Sequence, residues 1–348
     1  MSALSNASDS GQSLRQETLR QETMNSSSDQ ASSEQDTTDT TVWSFGFGSN
    51  MNVDIVKNKK GVAVIEHIAG CVKNWTLSFT AGGLDLVEPS MGNATPMDGG
   101  ELHGVALRLT LEDMTKMDKQ EGYNPTGDRG YAKVEVTVSA YDGRTFKAWV
   151  YSSRKPKPSQ PCSSRYLNIL VSGARDAGLD PTYIDRLAER PTYKPSPSVL
   201  SLRSEVPELG SLPPMTVEEL AKTKEDVDED DPDSNVHVSI HGLIFRLPKS
   251  KVFFKSHRGR DITARFSRHF RGISMDANDD FGKPPFRLPR DFDSEEEREY
   301  LRMWQDHYLS KGGVGSIVAH LVEYRAQLET TSTSSTPSPP NPAPAKNA

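Results

Sequence analysis

The sequence predicts an α+β protein: a β-rich ordered block, a second ordered block behind an acidic stretch, and a polar tail at each end. Three observations carry this. Apolar residues alternate with period two in several runs between Val42 and Tyr151. Capped helical patterns appear near 110–122, 164–178 and 294–312. Residues 1–41 are dominated by Ser, Thr, Gln, Asp, Glu and Asn, and 330–348 by Ser, Thr, Pro and Ala. Such compositions bury too little apolar surface to offset the entropy of ordering, so both tails are expected to be disordered. The expected organisation is a tail over 1–41, a β-rich domain over 42–195, an acidic linker over 196–235, a C-terminal α/β extension over 236–329 and a tail over 330–348.

Composition removes several classes of function. No run of about 18 apolar residues exists, so no membrane span is expected. The N-terminus lacks an apolar core and is rich in acids, which fits neither a secretory signal nor a transit peptide. Two cysteines, Cys71 and Cys162, exclude a disulfide scaffold and an all-Cys zinc site. The net charge of −7 argues against nucleic acid as a partner of the whole protein. A cytoplasmic protein is the expectation.

Along the chain, Leu14–Thr18 is repeated as Leu19–Thr23, too short for a structural repeat. Val42–Phe47 alternates like a strand and breaks at Gly48-Ser49-Asn50-Met51. Residues 62–69, 75–80 and 102–109 read as further strands. Thr110 is a helix N-cap and Gly122 the stop. Val134, Val136 and Val138 alternate with Lys133, Glu135 and Thr137; Asp142-Gly143 turns the chain and Thr145–Tyr151 returns. Helices are expected over 164–177 and after Pro181, then a loop over 191–215. Thr216–Glu219 is a capping box opening a short helix. In the second block, Val236–Leu247 reads as one strand, 294–312 as a helix with Tyr300, Leu301, Trp304 and Tyr308 inward, and 314–328 as a last helix.

Two features of the first block point to chemistry. Successive N–H groups of the Gly48-Ser49-Asn50 turn suit a carboxylate or phosphate, although the same residues are ordinary turn chemistry. On the helix, Leu111, Met114, Asp118 and Glu121 share a face that aims Glu121 near the core at the helix C-terminus. Burial and the helix dipole disfavour a charge there, pushing the carboxyl toward the range of a general acid/base. Spacing alone favours a carboxyl satisfied by a neighbour such as Arg129 or a tyrosine.

Taken in order, four stretches resemble the γ-glutamylcyclotransferase family: Phe45–Met51, Glu101–Leu109, Met117–Tyr123, and Ser163–Leu167 continuing through Gly173–Leu179. They are similar to that family's Tyr-Gly-Ser-Asn loop, its "HGV…RL" strand, its "LDxxEG" helix end and its "YL…GA…GL" helix. The resemblance covers about 150 residues by the extent of those stretches. It implies a compact mixed α/β fold around a small β-barrel. It implies cyclisation of a γ-glutamyl amino acid or peptide to 5-oxoproline with release of the amine. Glu121 would be the general acid/base, with no metal and no cofactor. Phe47, Gly48, Ser49, Asn50 and Met51 would hold the γ-glutamyl head group, and Tyr131 and Tyr151 would line the pocket. Phe47 stands where the family has tyrosine, and Asn50 where its glutathione-specific branch has leucine. γ-Glutamyl amino acids, γ-glutamyl-amines and glutathione all remain open as substrates. Cys162 has no paired base and is not expected to be a nucleophile.

The second block says less. Residues 249–271 hold eight Lys or Arg, with Phe253, Phe254, Phe266 and Phe270 interleaved. A regulatory protein binding an anionic partner through this segment is the alternative function; pairing with the acidic run 225–233 is the simpler account. His237, His241, His257 and His269 lack a metal-ligand spacing. Ile240–Leu247 echoes Leu102–Leu109, which raises a degenerate copy of the first block or chance.

Overall fold

The computed structural model describes residues 41–252, 254–273 and 281–332. The duplication at 14–23, Phe253 and nearly all of both expected tails lie outside the described residues. Thr41 already belongs to the first strand, and residues 330–332 still belong to the last helix.

Five strands close into a barrel in the order β1-β3-β2-β4-β5. They are β1 (Thr41–Gly46), β2 (Glu66–Leu84), β3 (Glu88–Thr110), β4 (Tyr131–Ala140) and β5 (Thr145–Ser153). Pairing is antiparallel except for β1 with β5, which meet in parallel at Ser44 and Trp149. Val105, Leu107, Leu109, Val138 and Val150 fill the core of the barrel. Helix α1 (Val53–Lys60) follows the first loop, and α2 (Leu111–Glu121) follows β3. Helices α3 (Ser164–Asp176) and α4 (Pro181–Ala188) pack on the outside, burying Leu170, Ala174 and Leu187. The mixed α/β fold around a small barrel is thus what the structure shows.

Two strands are longer than their apolar pattern. Residues 66–84 form one strand with irregularities near Asn74 and Thr80, and β3 begins at Glu88 rather than 102. The arm Glu88–Glu101 is rich in Gly, Pro and polar residues and reads as loop. Polar cross-strand bonds hold it instead: Ser78 Oγ to Thr95 Oγ1 at 2.7 Å, and Asn93 Nδ2 donating to Thr80 Oγ1 at 2.9 Å. Helix α1 also escapes the sequence pattern, because Val56 is its one fully buried side chain. Its caps are nevertheless regular. Asn52 accepts from the Ile55 N–H, and Gly61 ends it at φ 62°.

The stretch expected as a linker carries structure. It holds α5 (Pro197–Ser204), the two-residue strand β6 (Pro214–Met215) and α6 (Val217–Lys222), which opens on the Thr216–Glu219 capping box. Strand β6 joins a second sheet in the order β6-β9-β8-β7, with β7 (Asn235–Ile240), β8 (Leu243–Pro248) and β9 (Ile317–Leu321). Helices α7 (Thr263–Phe270) and α8 (Glu295–Gly312) share one core with this sheet, where Phe266 stacks on Trp304 at 3.6 Å. Helix α9 (Val322–Ser332) follows β9, so the expected helix over 314–328 starts late: the β-branched, apolar run at 317–321 pairs with β8 instead.

The echo at 240–247 is not structural. His103-Gly104 lies in mid-strand, whereas His241 (φ 53°) and Gly242 (φ 75°) form the turn between β7 and β8. The expected single strand 236–247 is therefore a hairpin. The basic segment 249–271 is engaged within the molecule. Lys255 and Arg258 each reach Glu229 at 3.1 Å, Lys249 donates to the Asp228 carbonyl, and Arg265 is buried.

Candidate active site

Strand β1 ends at Gly46, and the chain turns through Phe47-Gly48 into one 3₁₀ turn, Ser49–Met51. The Met51 N–H donates to the Gly48 carbonyl at 3.0 Å. A turn of this kind leaves its first amides without intrahelical acceptors. The loop is folded tightly over β1: a Cβ on Gly46 would lie 2.8 Å from the Asn50 carbonyl oxygen. Beside it opens a cavity of about 290 Å³. Phe47, Gly48, Ser49 and Asn50 line it together with Glu121, Tyr131 and Tyr151. One expected residue is missing from this wall. Met51 turns the other way and is 1% exposed in the barrel core, where its apolar side chain belongs.

Glu121 is the last residue of α2, held there by the Thr110 N-cap at one end and Gly122 (φ 64°) at the other. Leu111 is 55% exposed, so the inward stripe runs through Met114, Met117 and Glu121 rather than starting at Leu111. The carboxylate is not left alone and does not use Arg129. Its Oε1 accepts from Asn50 Nδ2 at 3.0 Å and from the Lys60 ammonium at the end of α1. Asn50 Oδ1 is buried without a hydrogen-bond partner among the described residues. An unmet buried acceptor costs about 1–3 kcal/mol, so a ligand N–H arriving there is favoured.

The tyrosines are tied into the same corner. Tyr151 donates to Asp118 Oδ1 at 2.7 Å, and Lys133 Nζ takes Asp118 Oδ2 at 2.7 Å. Lys133 lies 4.4 Å from the centre of the Tyr123 ring. Burial, with the Asp118 hydrogen bond, pushes the Tyr151 phenol well up. Burial and the nearby Glu121 carboxylate do the same for Tyr131. Both phenols stay protonated, and Tyr151 donates the hydrogen bond to Asp118. Burial likewise pushes the Cys162 thiol up to about 12, which leaves little thiolate at neutral pH.

Several residues on or beside the wall are not among the site residues the sequence suggests. Lys60 sits in an unforeseen helix. Arg165, Tyr166 and Ile169 come from the exposed-looking start of α3, and Met91 and Gly92 from the polar arm of β3. The asparagine cap at 52 and the glycine at 61 are the signals by which α1 and its basic last turn are legible. Among the described residues, no group of three or more His, Cys, Asp or Glu is placed to hold a metal ion, and no helix is long and apolar enough to cross a membrane.

Residues 101–187 match the AIG2-like family. The γ-glutamyl cyclotransferase gliK of Aspergillus fumigatus is 25% identical over 183 residues, a match covering 45% of this chain and 65% of that protein. The chain thus spans just under two thirds of the length of that relative. The γ-glutamylcyclotransferase of Bos taurus is 26% identical over 152 residues, covering 41% of this chain and 75% of that protein. A solved structure of a γ-glutamyl cyclotransferase overlays 47% of this chain and 99% of its own at a TM-score of 0.39 and 20% identity. Residues 101–187, which match the AIG2-like family, hold Glu121, Tyr131 and Tyr151, and the chain is similar to proteins named γ-glutamyl cyclotransferase.

Proposed function

We propose that the protein is a γ-glutamylcyclotransferase. The observation that carries this is the Glu121 carboxylate, held by Asn50 and Lys60 on the wall of a cavity beside the 47–50 loop. Relatives that bear this name support the reading.

In the proposed reaction the substrate supplies its own nucleophile. Glu121 takes a proton from the α-ammonium group. The freed amine attacks the γ-carbonyl carbon, and the new C–N bond closes a five-membered ring. The bond to the leaving nitrogen then breaks as Glu121 returns the proton to that nitrogen, and the ring nitrogen gives up its second proton to the departing amine, which leaves as an ammonium. The step is redox-neutral and consumes no water, so neither metal nor cofactor is proposed. Asn50 Oδ1 and Glu121 offer acceptors to the ammonium group, and the amides at the start of the 3₁₀ turn offer donors to the α-carboxylate. Tyr131 and Tyr151 wall the pocket and exclude water. Holding the substrate folded supplies much of the remaining acceleration.

The test is 5-oxoproline release from γ-glutamyl amino acids, γ-glutamyl-amines and glutathione by wild type and Glu121→Gln. The isosteric variant is expected to lose about 10²–10⁴ in kcat with its fold intact. Release unchanged in that variant, or none from any substrate by folded wild type, would sink the assignment. The panel also decides which leaving group is used.

A further inference from the structure

One component of the cavity wall is not held by the barrel alone. Arg165, near the start of α3, lines the cavity and is 11% exposed. Its guanidinium is gripped on three edges. One terminal nitrogen donates to Glu88 Oε1 at 2.9 Å, Nε donates to the His269 carbonyl at 3.1 Å, and the other terminal nitrogen meets His269 Nε2 at 3.2 Å. A guanidinium only donates, so Nε2 is the acceptor and the ring proton sits on Nδ1. That nitrogen lies 2.8 Å from the Tyr300 hydroxyl. Burial, reinforced by Arg165 and Lys59, pushes His269 down to about 3, which keeps the ring neutral and its acceptor available. The Tyr300 ring lies 5.7 Å from the guanidinium carbon.

The same turn reaches the other flank of the cavity. Lys59, next to the Lys60 that holds Glu121, donates to the Gly272 carbonyl. The end of α7 and the turn after it therefore contact both α1 and α3. Glu88, which balances Arg165, is itself buried and also accepts from the Ser163 hydroxyl.

Arginine carries five N–H groups, and these contacts use three of them. The remaining two belong to the terminal nitrogens of a planar fork, whose geometry matches a carboxylate. Glu121 stands with Asn50, Tyr131 and Tyr151, whereas Arg165 is bound to Glu88, His269 and Tyr300. The two come to one wall from different elements, α2 and α3. A γ-glutamyl amino acid carries its second carboxylate several bonds from its α-ammonium group, on the part that leaves.

We propose that the C-terminal lobe is part of the active site: His269 positions Arg165, and Arg165 selects substrates whose leaving group bears a carboxylate. This rests on the cyclotransferase reading above. Arg165 is then a specificity residue and His269 a positioning residue.

The test compares γ-glutamyl-alanine with γ-glutamyl-ethylamide, which differ only by that carboxylate. Wild type is expected to favour γ-glutamyl-alanine by about tenfold or more in kcat/KM. Arg165→Lys keeps a charge opposite Glu88, and His269→Phe keeps an aromatic ring against Tyr300. Each is expected to collapse the wild-type preference, raising KM for γ-glutamyl-alanine about tenfold more than KM for γ-glutamyl-ethylamide. Equal wild-type kcat/KM for the two substrates overturns the proposal without any variant. So does a parallel loss on both substrates in the variants, which is what a merely structural role would produce. 5-Oxoproline from glutathione but from neither of these two substrates overturns the proposal alone, whereas none from any γ-glutamyl substrate would overturn the cyclotransferase reading itself.

Discussion

Two side chains from different elements grip one oxygen of Glu121, and that grip decides how the carboxylate is aimed. Asn50 comes from the loop after β1 and Lys60 from the last turn of α1. A backbone helix end alone leaves a glutamate free to sample several rotamers. Lys60→Met removes the charged partner while keeping a straight chain of similar length. We expect kcat for 5-oxoproline release to fall about ten- to a hundredfold with Tm little changed, because reacting groups displaced by about an ångström lose that much. Lys60→Gln, which restores a donor, should recover part of it. Steady-state kinetics on the three proteins settles this, and equal kcat in all three would remove Lys60 from the site. Glu121 itself was legible from the helix cap, the glycine stop and its motif. Its partner was not, since residues 60 and 121 meet only through packing.

At the scale of elements, the barrel closes where bulk is absent. Gly104 of β3 pairs with Gly70 of β2, and a Cβ on Gly104 would lie 2.3 Å from the Gly46 carbonyl oxygen. That atom is backbone, so it moves only if β1 and the loop after it move too. Gly104→Ala is expected to cost about 1–3 kcal/mol of stability and to lower kcat through the displaced loop. Thermal unfolding together with turnover would check it; a stable variant with altered turnover, or the reverse, would separate the two roles. The hairpin of β4 and β5, with its Asp142-Gly143 turn, follows the sequence pattern, although β4 starts at Tyr131 and β5 runs on to Ser153. The arm of β3 before residue 102 does not, because polar ladders rather than alternating hydrophobes hold it.

The whole molecule couples barrel and C-terminal lobe through buried groups. Val87, in the turn between β2 and β3, is fully buried in the core of the second sheet. Arg165 finds a partner on α7, and Lys59 finds one in the turn just after it. A chain ended after residue 195 would expose Val87 and strip both cations of those partners. We expect it to give poor soluble yield and a lower Tm; a truncated chain matching full-length Tm and kcat/KM would show the lobes to be independent. Acid should act on the lobe first. His257 and His307 are almost wholly buried, and burial pushes them down to about 3 and about 4. A histidine depressed in the folded state contributes stability that is present above its unfolded pKa near 6.5 and lost as pH falls toward the folded value. Each should cost about 1–2 kcal/mol at pH 5. Equilibrium unfolding at pH 7 and pH 5 measures it, and identical stability at both would show that these rings are not held neutral.

By itself the sequence determined the class of the fold, most helix ends and the proton-handling candidate. These rest on local physics: alternation in β4 and β5, side-chain caps at Thr110, Ser163 and Ser294, and glycine stops at Gly122 and Gly178. Only the tertiary structure decided that the barrel closes, that Met51 leaves the cavity while Lys60 enters its edge, and that residues 196–332 fold against the barrel. Those outcomes depend on which surfaces meet across 71 to 104 residues of chain, and no local pattern encodes a contact whose two halves are each ordinary on their own.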